Sequence, residues 1–431
     1  MTRWLNIADA DFEAKFTRLL GDKREQSVDV NASVAQILSD VRARGDAAVR
    51  EYTAKFDGFD LPESGARMSV DEIAQHADAC EPEILSSLSA AAVRINAYHE
   101  RQLPGDERYT DNAGVELGHR WTPVQAAGLY VPGGLAAYPS SVLMNAIPAR
   151  VAGVERLVMV VPTPKGVINP QVIAAARLAG IDEIHTIGGA QAVGALTYGT
   201  ATVAPVAKVV GPGNAYVAAA KKQVFGTVGI DMIAGPSEVL IMADDSANAG
   251  WIAADLLAQA EHDSSAQSIL VCTSEQLARD VLAAVDAQLA TLPKADIAGA
   301  SWRDFGCIIV VDTLVNAAPV VDRLAPEHLE IVCRNEDEVA ASIHNAGAIF
   351  LGAFTPEAVG DYVGGPNHVL PTARSARYSS GLNVLDFMKR TSILKCTADA
   401  LRRIGPDAIT IGRAEGLEAH ARSIAMRLNL P

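Results

Sequence analysis

The 431-residue chain has no run of lysine or arginine, no C-x-x-C pair and no uninterrupted apolar stretch of membrane length. With 51 acidic against 36 basic residues and a formal net charge of −15, its surface repels phosphate backbones and anionic lipid; neither nucleic acid nor membrane is an expected partner. The longest segment without a charged side chain, Trp121 to Ala149, is broken by Pro123, Pro132, Pro139 and Pro148 and does not read as a spanning helix. The opening MTRWLNIADADFEAKF lacks an apolar core and a small-residue cleavage site, so no export signal is expected. Five scattered cysteines, Cys80, Cys272, Cys307, Cys333 and Cys396, fit unpaired thiols in a reducing cytoplasm. Missing too are G-x-G-x-x-G and the P-loop pattern.

What is present is a large apolar fraction, 49% hydrophobic against 20% charged, which excludes disorder. At roughly 100–200 residues per domain the length allows two to four folding units. From Asp29 to about Leu103, apolar residues recur at three- and four-residue spacing, as in VAQILSDVRARGDAAVREY, which predicts helices. Beyond, short Val/Ile runs alternate with Ala-rich segments, the rhythm of βα units on a parallel sheet. One block contains RLVMVVP, IDEIHTIGG and VAKVVG; a second contains EVLIMAD, SILVCT, GCIIVV, HLEIVC and AIFLGA. Two similar α/β domains follow. After Gly381 the strands are expected to stop, leaving a helical tail that must pack on something.

Ligands of open parallel sheets sit beyond the C-terminal ends of the strands, so loops after strands come first. GLYVPGG, IGGAQAVG, VGPGNAY and AGPSEV offer glycines that either only shape tight turns or let backbone N–H groups approach a pyrophosphate, and four such loops favour the second reading. At the end of DLLAQAEHD, Gln259 and His262 are three apart and share a helix face, a spacing that suits two ligands of a zinc-type ion and equally a plain polar face. In LAPEHLE, Glu327 and His328 at a strand entry read either as a solvated Glu beside a half-buried His or as an acid/base unit in which the carboxylate raises the imidazole's pKa. GDYVGGPNH adds Asp361 and His368, and EGLEAH adds Glu415 and His420, with Glu415 and Glu418 on one helix face. The other histidines, His76, His99, His119, His185 and His344, read as surface or core. Residue chemistry alone stops at an α/β protein with nucleotide-type loops and candidate metal ligands.

Ile230 to His262, IDMIAGPSEVLIMADDSANAGWIAADLLAQAEH, resembles the signature of the histidinol dehydrogenase family, and the likeness continues through GLYVPGG, YPSSVLMNAIPA, VGPGNAYVAAAKK, APEHLE, GDYVGGPNHVLPT and EGLEAHA. The resemblance implies a zinc-dependent, NAD-linked enzyme that oxidises L-histidinol through the bound aldehyde to L-histidine. It implies zinc, one per subunit, on Gln259, His262, Asp361 and His420, the last lent across an intertwined homodimer. His328 becomes the general base and Glu327 the group that activates water. Ser237, Gln259, His262, His328, Asp361, Glu415 and His420 become substrate contacts, and Tyr130, Gln191 and Asn214 contacts to NAD. His368 receives no defined role.

The implied fold is two Rossmann-like parallel-sheet domains with helical N- and C-terminal extensions. The expected division is an arm over 1–25, a metal and substrate domain over 26–129 and 238–381, an NAD domain over 130–237, and a tail over 382–431 given to the partner subunit. Three other readings compete: the same scaffold acting on another amino or sulfonated alcohol, a zinc hydrolase using Glu327 as base, and a non-catalytic binding protein. Glu415 and His420, which would face the imidazole and amine, argue against the first; the second would leave the glycine loops idle.

Overall fold

The structure, a computed structural model, describes residues 2–21, 30–133, 138–233 and 235–430. Gly134 and Ala234, each in one of the glycine-bearing segments, and residues 22–25 of the expected arm lie outside these. The chain opens with strand β1 (Arg3–Asn6) and helices α1 (Phe12–Gly21), α2 (Asn31–Arg44), α3 (Asp46–Asp57), α4 (Val70–Asp78) and α5 (Pro82–Glu100). Strands β2 (Glu107–Thr110) and β3 (Glu116–Pro123) lead into a first βα series: β4 (Ala126–Tyr130), α6 (Pro139–Val151), β5 (Arg156–Val160), α7 (Pro170–Leu178), β6 (Glu183–His185), α8 (Gly189–Tyr198), β7 (Lys208–Val210), α9 (Ala215–Val224) and β8 (Gly229–Ile230).

The second series starts with β9 (Glu238–Ala243), α10 (Ala249–Ala260), β10 (Gln267–Cys272), α11 (Glu275–Leu289), α12 (Ala295–Phe305) and β11 (Cys307–Val310). It continues with α13 (Ala318–Leu324), β12 (His328–Val332), α14 (Glu336–Ala341), β13 (Ala348–Leu351) and α15 (Glu357–Tyr362). Strand β14 (Met388–Lys395) and helices α16 (Ala398–Ala414) and α17 (Glu418–Leu428) close the chain. No helix among the described residues is long and apolar enough to cross a membrane.

Both expected parallel sheets are present. One has the order β6-β5-β4-β7-β8 and the other β1-β11-β10-β9-β12-β13. Each places the first strand of its βα series inside the sheet, and the strand order reverses there, between β4 and β7 and between β9 and β12, the switch points of such sheets. The continuous apolar runs follow from burial on two faces. Leu240, Met242, Ile269 and Val271 point into one core, while Val239, Ile241, Leu270 and Ile308 point into the other.

Three packing features differ from the sequence expectation. Helices α2 and α3 bury Val34, Ile37, Leu38 and Val41 with Val158 and Val160, and α4 and α5 bury Ile73, Leu88 and Ile95 with Leu129 and Met159. Residues 31–100 therefore cover both faces of the five-stranded sheet, not the six-stranded one to which the division assigned them. Their apolar stripes carried no information about which sheet they would meet. The N-terminal segment, expected to be helical, begins with a strand: Arg3–Asn6 pairs in parallel with β11 at the sheet edge. Strands do not stop at Gly381 either. Met388–Lys395 runs antiparallel to β3, from Met388 opposite Pro123 to Lys395 opposite Glu116, and the alternation was masked by its charged, exposed positions.

Candidate active site

The carboxyl ends of β4 and β7 meet the amino ends of β9 and β12 around a cavity of about 330 Å³. Ser237, Gln259, His262, Glu327, His328 and Asp361, drawn from distant parts of the sequence, all line it, as does His368. The loop-after-strand rule holds for one wall only. Ser237, Glu327 and His328 lie before or at the start of their strands, and AGPSEV leads into β9 instead of leaving a strand. His262 lies just past the last residue of α10, its N–H bonded to the Gln259 carbonyl at 3.3 Å.

His328 is 4% exposed, and its Nδ1 lies 3.0 Å from the Glu238 carbonyl. A carbonyl only accepts, so Nδ1 carries the proton and Nε2 keeps a lone pair. That Nε2 is buried without a hydrogen-bond partner, 3.8 Å from Asp361 Oδ1. The expectation that a carboxylate raises the imidazole is corrected. Burial pushes it down to about 4; Asp361 opposes that shift, and His368 and His262 reinforce it. The ring is therefore held neutral, in the proton-accepting form. Glu327, one residue back, is fixed by accepting the Glu238 N–H at 2.9 Å.

Glu357 was missed. It starts α15 four residues before Asp361, so both carboxylates lie on one helix face, a spacing readable in PEAVGDY once that segment is known to be helical. Its Oε1 is 3.4 Å from His328 Nδ1 and, with the Gln259 amide turned so that its nitrogen and not its oxygen faces the carboxylate, accepts that N–H at 2.7 Å. Burial, then the charges of Asp361 and Glu327, push its carboxyl well above the usual range. Beneath it Glu330 accepts the Glu357 N–H at 2.7 Å and hydrogen-bonds Asp255. Among the described residues, His328, Glu357 and Asp361 bring metal-type donor atoms within 4.8 Å of one another. Crowded carboxylates, an unpartnered imidazole nitrogen, and Gln259 and His262 on the same wall form a mixed nitrogen and oxygen set that fits a zinc-class ion. His368 ties α15 to α6, since its Nδ1 donates to the Asp361 carbonyl at 2.9 Å and its Nε2 accepts from Ser141 at 3.2 Å.

A second cavity of about 370 Å³ holds Tyr130, Gln191 and Asn214. It shares Pro132, Gly213 and Asn214 with the first, so the loop after β7 is a common wall. The Tyr130 hydroxyl accepts the Gly189 N–H at 3.0 Å at the start of α8. Gln191 Oε1 is buried without a hydrogen-bond partner, an acceptor suited to an incoming donor. Asn214 Oδ1 caps α9 through Tyr216 and Val217, which leaves its amide nitrogen for a ligand.

Glu415 and His420 are not brought to the cavity within this chain. Both are exposed on the C-terminal hairpin. Glu415 caps the end of α16 and Gly416, at φ 74°, turns the chain into α17, so Glu415 and Glu418 do not share one helix face as expected. Glycine inside EGLEAH was the overlooked break.

The sequence profile of histidinol dehydrogenase matches residues 21–428. The chain is 65% identical over 426 residues to the histidinol dehydrogenase of Bradyrhizobium diazoefficiens, covering 99% of each. It is 64% identical over 425 residues to that of Nitrobacter winogradskyi, again covering 99% of each. The crystal structure of histidinol dehydrogenase from Elizabethkingia anophelis superposes with a TM-score of 0.95 at 35% identity, covering 99% of this chain and 98% of that one. With the profile spanning nearly all of its length and its whole fold shared, the chain belongs to the histidinol dehydrogenase family and is an oxidoreductase.

Proposed function

We propose that the chain oxidises L-histidinol to L-histidine in two NAD-linked steps through bound L-histidinaldehyde, the last steps of histidine biosynthesis, in the cytoplasm. The observation that carries this reading is His328 Nε2, an unprotonated, unpartnered base atom in the cavity that shares a wall with the dinucleotide-type cleft. An alcohol releases hydride readily only as its proton departs, and His328 is the acceptor for that proton. In the second step water adds to the aldehyde carbonyl to give a gem-diol. Glu327 activates the water, and His328 again takes the proton from oxygen.

When bound, NAD supplies the hydride acceptor, and zinc, one per subunit, holds the substrate through its imidazole and amino nitrogens. Gln259, His262 and Asp361, with His420 of the partner subunit, would hold the ion in an intertwined homodimer. Ser237 of the same chain and Glu415 of the partner subunit would contact substrate, alongside His262, His328 and Asp361. Tyr130, Gln191 and Asn214 would bind NAD. The test is spectrophotometric. Zinc-loaded protein is expected to form two NADH per histidine, to stop on chelation and to recover with added zinc; no NADH from histidinol sinks the reading.

A further inference from the structure

The cleft that holds Tyr130 and Gln191 runs away from His328. Its near end is the shared wall of Pro132, Gly213 and Asn214; Ile37, Phe56 and Asp57 line it without lining the substrate cavity. If a dinucleotide reaches the substrate with its nicotinamide, the other half of the molecule lies toward these residues. The chemistry there is divided. Phe56, 53% exposed, and Pro162 and Pro164 offer apolar surface to a flat base, whereas Asp57 is the sole charged residue among the described lining residues.

Asp57 is badly placed for stability. It is the last residue of α3, where a negative charge opposes the helix dipole. Its Oδ2 is buried without a hydrogen-bond partner, and burial pushes the carboxyl above its usual range. A half-buried carboxylate at the wrong end of a helix gives the fold nothing back, but it would gain from any hydroxyl donor brought into the cleft. We propose that Asp57 is the specificity-determining residue of the dinucleotide cleft, accepting the adenosine ribose hydroxyls of NAD and opposing the 2′-phosphate of NADP. This is the role a carboxylate plays in parallel-sheet dinucleotide sites whose glycine fingerprint is complete. Here the carboxylate comes from a helix that precedes the sheet, not from a strand end.

The inference rests on the NAD-linked reading, and half-ligands separate the two. AMP and adenosine 2′,5′-bisphosphate carry the adenosine half without any reacting group. By calorimetric titration of the full-length protein, wild type is expected to bind AMP at least about ten-fold more tightly than the bisphosphate. In Asp57→Asn the ratio is expected to collapse to within about three-fold, chiefly by loss of AMP affinity. Asp57→Asn removes a strained charge, so its melting temperature is expected to be no lower than wild type, and Asp57→Glu is expected to retain part of the preference. An unchanged ratio in Asp57→Asn, or a wild type indifferent to the 2′-phosphate, overturns the proposal. If the ratio behaves as expected while histidinol yields no NADH, the specificity assignment stands and the substrate reading fails.

Discussion

Lys221 and Asp231 grip both backbone polar groups of Gly211. The Lys221 ammonium donates to the Gly211 carbonyl at 2.9 Å, Asp231 Oδ2 accepts the Gly211 N–H at 2.8 Å, and the two side chains, 3% and 1% exposed, form an ion pair with each other. Gly211 has φ 112°, and a Cβ on it would lie 2.1 Å from the Tyr130 carbonyl oxygen, so no other residue lets the loop after β7 approach β4 this closely. The clamp thus fixes the wall common to the two cavities. Lys221→Met leaves Asp231 charged and buried, and is expected to cost about 3–5 kcal/mol in denaturant unfolding. Adding Asp231→Asn, whose amide oxygen still accepts the Gly211 N–H, is expected to restore most of it. Equal losses in the single and double variants would show that the pair does not act as a unit.

Glu357 touches Gln259 and His328 but was not among the expected ligands. A carboxylate that orients a ligand amide typically tunes metal affinity about 10–100-fold. Glu357→Ala is therefore expected to weaken zinc binding by that order in a competition titration with a chelator. Metal-free protein is expected to melt no earlier than wild type, because the substitution removes one member of a self-repelling carboxylate group. A variant that holds zinc as tightly as wild type contradicts the role.

Much of this was legible, for physical reasons. The runs EVLIMAD and SILVCT announced strands because a parallel sheet buries both faces, whereas QAEH and APEHLE, polar groups at an element's end, read equally well as plain polar faces and were singled out by the family resemblance. What was not legible is pairing at a distance. Nothing in VAQILSDVRARGDAAVREY says which sheet its stripe will cover. Nothing in MKRTSILK, whose side chains are mostly exposed, separates it from a helical tail. Glu357 escaped because a six-residue helix is too short to show a period, and His328 was misjudged because burial is a property of the fold and not of its neighbour in sequence.

Glu330 bears on stability and not on chemistry. Burial, then the neighbouring Asp255, push its carboxyl up to about 8, and Asp255 itself is pushed up to about 6 by burial. A carboxyl raised above its unfolded value near 4.5 keeps its proton only in the folded state. Its contribution is full below that value, declines as pH rises, and is gone above about 8. Glu330→Gln copies the protonated form, accepting the Glu357 N–H and donating to Asp255. Melting temperatures across pH 5 to 9 are expected to fall for wild type and to stay flatter for Glu330→Gln, roughly as one site's linkage requires. Parallel curves would reject the assignment.

The C-terminal hairpin has a small core of its own, Ile409, Ala421 and Ala425 with Ile424 and Leu428, and leaves Ile411, Leu417 and Met426 exposed. On the proposed reading, this helix pair, which shows apolar side chains to water and does not bring Glu415 and His420 to the cavity of its own chain, serves a second copy of the chain. His328→Asn and His420→Asn are each expected to be nearly inactive as purified proteins. Unfolded together and refolded as a mixture, half of the dimers pair one of each, and each such hybrid has one site with both residues intact, so activity is expected to recover to about a quarter of wild type. If His420 served the cavity of its own chain, every hybrid site would lack one residue or the other, and mixing would restore nothing.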